Sequence, residues 1–136
     1  MPYTKPYIVL GNFKFPRYPH RYYIYGILCK TVKELGFRYE EHFSDIRTPG
    51  YTSNEIRDWH PDGESGKGTH FQLIFWASSD PPEFRLPNKT IWQPQPGDLV
   101  LVRNWLCEHR QPPFIHTDRL FVRFWDVRKI KEKKTR

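Results

Sequence analysis

One contrast along the chain constrains its fold more than any other feature. A single amphipathic helical stretch lies near the start, and only short apolar runs cut by prolines come after it. The segment "HRYYIYGILCKTVKEL" (20–35) places Ile24, Ile27, Leu28, Val32 and Leu35 near helical spacing, and Gly36 supplies a C-terminal stop. Further on, "FQLIFWA" (71–77) is a short apolar, aromatic run, and "EFRLPNKTIW" (83–92) reads as two short strands around a Pro-Asn turn. "PGDLVLVRNW" opens with a turn and continues as a strand, and "RLFVRFWDV" (119–127) closes the series. A doubly wound fold needs helices alternating with its strands, and these are missing. Short strands, Pro/Gly turns and one early helix predict a mainly β chain (α+β): a sandwich or barrel with the helix packed outside.

A length of 136 residues suits one domain, with enough chain for a hydrophobic core without disulfides or structural metal. Aromatic residues make up 17%, so a few large side chains can fill that core. No stretch approaches the ~20 apolar residues of a membrane helix, and the first residues lack a signal-peptide pattern. Cys29 and Cys107 stand far apart in a chain without secretory features, so free thiols in a cytoplasmic protein are expected. The formal charge of +7 is unevenly spread. In "RKIKEKKTR" (128–136) six side chains are basic and one acidic, which leaves +2 for everything before it. We therefore divide the chain into a domain at 1–127 and a basic tail at 128–136. Such a tail attracts phosphate through counterion release, although most tails of this kind are simply solvated.

The segment "DWHPDGESGKGTH" (58–70) raises the chemical question. It admits three readings: a turn, an interaction motif built on His-Pro-Asp, or two ligands of one metal. His-Pro-Asp marks the J-domain chaperone partners, but there it joins two helices, whereas here Pro49 and Gly50 interrupt the preceding segment and strands follow. An imidazole and a carboxylate two residues apart on an extended strand point to the same side, because side chains alternate with period two. His60 and Asp62 are thus able to bite one ion, with His109, at the end of "PQPGDLVLVRNWLCEH", as the third ligand. Two histidines and one carboxylate form the face expected for non-haem Fe(II). Ten residues after His109, Arg119 opens "RLFVRFW", and a guanidinium there can hold a dicarboxylate as a bidentate pair.

These residues resemble the Fe(II)/2-oxoglutarate-dependent oxygenases, whose pattern is His-x-Asp, a distal His and an Arg about ten residues later. "HPD" at 60–62, "PGDLVLVRNWLCEH" ending at 109 and "RLFVRFW" at 119–125 carry the likeness, which spans about 50–127 and looks most like the prolyl-hydroxylase end of the family. The resemblance implies a double-stranded β-helix (jelly roll) with one N-terminal packing helix, and iron held by His60, Asp62 and His109. It implies 2-oxoglutarate and O2 as cosubstrates, with Arg119 on the distal carboxylate. Succinate would form as a substrate is hydroxylated or demethylated. Arg123 departs from the pattern: alternation puts Arg119, Phe121, Arg123 and Trp125 on one face, so either arginine can serve the carboxylate. Tyr51, nine residues before His60, is a further candidate for lining the cosubstrate pocket. The chain is short for the family, which suits an open, polymer-facing groove or an oligomer.

His70 is a rival ligand, His116 falls in the "QPPFIHTD" loop, and His20 and His42 read as surface or partly packed residues. Trp76, Trp92 and Trp125 read as core, while Trp59 and Trp105 flank the proposed ligands and could line the pocket mouth. "GESGKG" (63–68) lacks P-loop spacing and reads as a lid beside the metal. A nucleic acid or a protein side chain is the expected substrate class. Two other classes stand beside the oxygenase. One is a non-catalytic, basic, aromatic β-barrel module for single-stranded nucleic acid, with nothing on iron. The other is a cupin-like metalloenzyme without 2-oxoglutarate, which has no use for a buried cation at Arg119.

Overall fold

The computed structural model describes residues 6–15, 20–47, 59, 73–103, 106–112 and 120–129, with backbone alone at 40–47, 125–126 and 128–129. The chain begins with β1 (Tyr7–Asn12) and α1 (Arg21–Glu34), followed by β2 (Phe37–Arg47) and β3 (Leu73–Ala77). The hairpin strands β4 (Glu83–Arg85) and β5 (Ile91–Trp92) come next, then β6 (Asp98–Val102), β7 (Glu108–Arg110) and β8 (Phe121–Lys129). Two antiparallel sheets result, one of five strands ordered β1-β6-β3-β8-β2 and one of three ordered β5-β4-β7. Among the described residues they do not close into a barrel.

The predicted helix forms within one residue of each expected end. His20 caps it, its Nδ1 accepting from the Tyr22 amide at 3.2 Å. Gly36 ends it at φ 89°, a left-handed geometry that a side chain disfavours, and its N–H donates to the Lys33 carbonyl at 3.0 Å. Ile24, Leu28 and Val32 form the buried stripe, while Leu35 stays exposed. That stripe packs on one face of the large sheet, against Ile74, Trp76, Leu99, Leu101, Val122, Phe124 and Val127. The opposite face presents Leu73, Phe75, Ala77, Val100, Val102 and Phe121 to Phe84 and Cys107.

Strands β3 and β6 are therefore covered on both faces, which explains why "LIFWA" and "LVLV" are continuous apolar runs without alternation. The Pro-Gly-Asp turn before β6 is pinned twice. The Gly97 amide donates to the Ala77 carbonyl at 2.7 Å, and the Gly97 carbonyl accepts from Phe13 at 2.7 Å. Gly97 has φ 87°, and a Cβ there would meet the Phe13 carbonyl oxygen at 3.0 Å, so only glycine fits comfortably.

Strands β1, β2 and β7 add to the predicted set. β8 runs to Lys129, two residues into the stretch assigned above to the tail. Both cysteines are free, as expected.

Candidate functional site

The small sheet has two chemically distinct faces. Its register pairs Glu83 with Arg110, Phe84 with His109 and Arg85 with Glu108. Alternation then sends Phe84 and His109 inward, towards the large sheet, and the four charged residues outward. Phe84 is buried in the core between the sheets, and the His109 ring lies 5.9 Å from it, half-buried at the border of the cluster. On the outer face the charges pair across the strands. Arg85 Nε donates to Glu108 Oε1 at 3.1 Å, and Arg110 Nε to Glu83 Oε1 at 2.9 Å.

Arg123 comes to the same interlayer from the other side. In β8 it pairs in register with Phe75 of β3, on the face that carries Phe121, and the sequence-based alternation of Phe121 with Arg123 holds. Its guanidinium lies 5.7 Å from the Phe121 ring centroid, and Phe121 stacks with Phe75 at 5.8 Å. His109 and Arg123 thus border one aromatic cluster, each half-buried on the inner face of its own sheet. A half-buried guanidinium beside aromatic rings is a suitable seat for a carboxylate, because partial exclusion of water strengthens the ion pair.

His60, Asp62, Tyr51 and Arg119 lie outside the described residues, as do His70, His116, Trp105 and the 63–68 segment. Among the described residues there is no group of three or more His, Cys, Asp or Glu side chains able to hold a metal. Of the three expected ligands only His109 is described, a half-buried imidazole set by a strand at the rim of an apolar layer. Cys107 is a poor alternative. Burial pushes its thiol up to about 12, and its Sγ–H donates to the Arg103 carbonyl at 3.4 Å, so it is not a thiolate nucleophile at neutral pH.

Trp76 is core, with its indole N–H donating to the Phe13 carbonyl at 3.1 Å, and Trp92 stacks on Tyr7 at 3.7 Å. Trp59 holds a position that sequence reasoning did not find. It lies beside the guanidiniums of β4 and β7, with its ring 4.9 Å from Arg85 and 4.5 Å from Arg110. A shallow depression of about 130 Å³ at the end of the small sheet, lined by Leu86, Lys89 and Leu106 among others, is well below the size of an organic-ligand pocket. No family model, no curated protein and no solved structure matches this chain, so its site is read from its own residues.

Proposed function

We propose that the chain is an Fe(II)/2-oxoglutarate-dependent oxygenase acting on a nucleic acid or a protein side chain. The observation that carries this reading is the placement of His109 and Arg123 on facing inner surfaces, at the border of one aromatic interlayer. The path of the chain supports the finer fold, a double-stranded β-helix. From β2 onward it passes between the large and small sheets repeatedly: β3 large, β4 and β5 small, β6 large, β7 small, β8 large. That back-and-forth winding is how a two-sheet jelly roll wraps. In this reading β2, β8, β3 and β6 are the four large-sheet strands, and β1 is an added edge. The chain between Arg47 and Leu73, which carries Tyr51, His60 and Asp62, stands between β2 and β3 in this order.

His60, Asp62 and His109 would hold the metal. Bound Fe(II) supplies oxygen activation coupled to decarboxylation of 2-oxoglutarate to succinate. The chain's own part is to fix the His109 imidazole by strand pairing, to hold the distal carboxylate with Arg119 or Arg123, and to keep water from the interlayer with Phe75, Phe84 and Phe121.

Anaerobic titration with Fe(II) and 2-oxoglutarate tests the reading. The expected result is a weak visible charge-transfer band that saturates at one iron per chain and needs both additions. A folded protein with no band rejects the oxygenase. Iron binding that ignores 2-oxoglutarate points to the cupin-like class, and tight single-stranded nucleic acid binding without iron points to the non-catalytic module.

A further inference from the structure

Basic charge is concentrated at the two ends of the chain. Residues 1–39 hold seven basic side chains and one acidic, and the run 128–136 holds six and one. Residues 40–127, by contrast, hold nine basic and thirteen acidic side chains. The fold brings the two basic stretches together. β2 starts where β8 finishes, with Phe37 opposite Lys129 and Arg38 opposite Arg128. The first two residues of the run 128–136 therefore stand beside the C-terminal end of α1. The side of α1 turned away from its buried stripe carries Tyr22, Tyr23, Gly26, Lys30 and Lys33, all exposed. Tyr22 and Tyr23 leave 57% and 61% of their surface in solvent, and they belong to neither core cluster. Arg21 adds a guanidinium 4.9 Å from the centroid of the Tyr22 ring. Gly26 stands in the middle of that face. Glycine weakens a helix interior relative to alanine, and packing within the chain does not call for it here. A Cβ at that position would meet nothing within 4 Å beyond its chain neighbours and the backbone of its own helix.

We propose that this outer face of α1 binds single-stranded nucleic acid. Lys30, Lys33 and Arg38 answer the phosphates by charge, and the two tyrosine rings are platforms on which unpaired bases stack. The bare backbone at Gly26 lets the strand approach the helix closely between them. Glu34 is the one acidic side chain among residues 1–39, and its 4.0 Å pair with Lys30 is exposed, so it competes weakly with a phosphate. A duplex keeps its bases stacked inside and has no use for the tyrosines. An anionic membrane takes up a basic helix by its apolar face, and that face of α1 is already packed on the large sheet. Acidic side chains of a peptide would satisfy the lysines but offer no flat ring to the tyrosines. The surface lies across the large sheet from His109 and Arg123, so the inference does not rest on the oxygenase reading.

The test follows the fluorescence anisotropy of labelled oligo(dT) and oligo(U) of about 15 nucleotides as metal-free protein is added, at about 50 to 200 mM salt. Wild type should bind at least one of them, more weakly as salt rises, and should bind a duplex of the same length less well than either. Tyr22→Ala combined with Tyr23→Ala should weaken binding by about 5- to 100-fold with little change in salt dependence, while phenylalanine at both positions keeps the wild-type affinity. Lys30→Gln combined with Lys33→Gln should lower the slope of log affinity against log salt by about 1.4. Gly26→Leu should raise the melting temperature by about 4 °C and still weaken binding, a split that a purely structural role does not produce. Failure of wild type to bind at low salt overturns the proposal, as does equal affinity for the duplex. Binding that every variant retains also overturns it and moves the contact to the run 128–136. Tighter binding to vesicles of anionic phospholipid than to either oligonucleotide would replace the nucleic acid with a membrane. No iron enters this titration, so its failure leaves the oxygenase reading standing, and an absent charge-transfer band leaves this surface standing.

Discussion

The large sheet is covered on one face by α1 and on the other by the small sheet, and the two interfaces are built differently. Under α1, Ile24, Leu28 and Val32 meet Ile74, Leu101, Val122 and Phe124 in a layer of aliphatic and aromatic side chains. Beneath the small sheet, Phe75, Phe84 and Phe121 form the centre, but His109 and Arg123 stand at its border, and a lattice of paired charges covers its outside. The first interface only excludes water. The second excludes water at its centre and keeps ionisable groups half-exposed at its rim, where they need not bear the full cost of burial. With the proposed function, stability and chemistry would fall on opposite faces of one sheet, and five substitutions probe that division.

The largest expected effect is at the rim of the second interface. His109→Ala should abolish iron-dependent succinate formation while the protein still unfolds cooperatively near the wild-type temperature, since a half-buried border residue is removed. Undiminished turnover would exclude His109 as a ligand.

Next come the two arginines. Lysine keeps the charge but loses the planar fork, so Arg119→Lys should raise the 2-oxoglutarate requirement by roughly two to three orders of magnitude at saturating iron, a loss of ~2–5 kcal/mol. Arg123→Lys should have the smaller effect. The reverse order would transfer the carboxylate to Arg123, the arginine that borders the Phe121 ring.

The helix face responds in another currency. Leu28 is fully buried, and Leu28→Ala should cost about 2–5 kcal/mol in denaturant unfolding. Iron affinity of the remaining folded protein should not change. A variant that keeps its stability but loses iron would dissolve the separation of roles.

The smallest effect belongs to the charged lattice. Glu83→Gln removes one partly exposed pair with Arg110 and should cost at most about 1 kcal/mol, shrinking as salt is added. A salt-independent loss of several kcal/mol would mean that the lattice is a buried structural element and not a surface one.

How much of this was legible depends on what each element needs. α1 announces itself because its buried stripe recurs at the helical period, β3 and β6 because strands buried on both faces are apolar nearly throughout, and β8 because Phe121, Val122, Phe124 and Val127 stand out among its charges. β1 is a six-residue edge strand, half-buried at best, and "FRYEEHFSDIR" of β2 is largely polar, so neither carries a strong pattern. β7 is only "EHR", too short for any period, and it is recognisable only from its pairing with β4, where Glu108 and Arg110 meet Arg85 and Glu83 across the strand. His109 was nameable as a candidate from spacing alone. Its inward orientation was not, because that depends on its pairing with Phe84.

The sequence by itself determined local things: one capped helix, the apolar strands, the Pro-Gly-Asp turn and the two unpaired cysteines. Periodicity, turn chemistry and composition act over a few residues and need no partner to be read. Only the tertiary structure decided that His109 and Arg123 border the same aromatic layer and that the Trp59 ring meets both Arg85 and Arg110. Those neighbours are 14 to 51 positions apart, and what brings them together is the order in which strands join two sheets, a choice made by burying whole faces and not by any local preference.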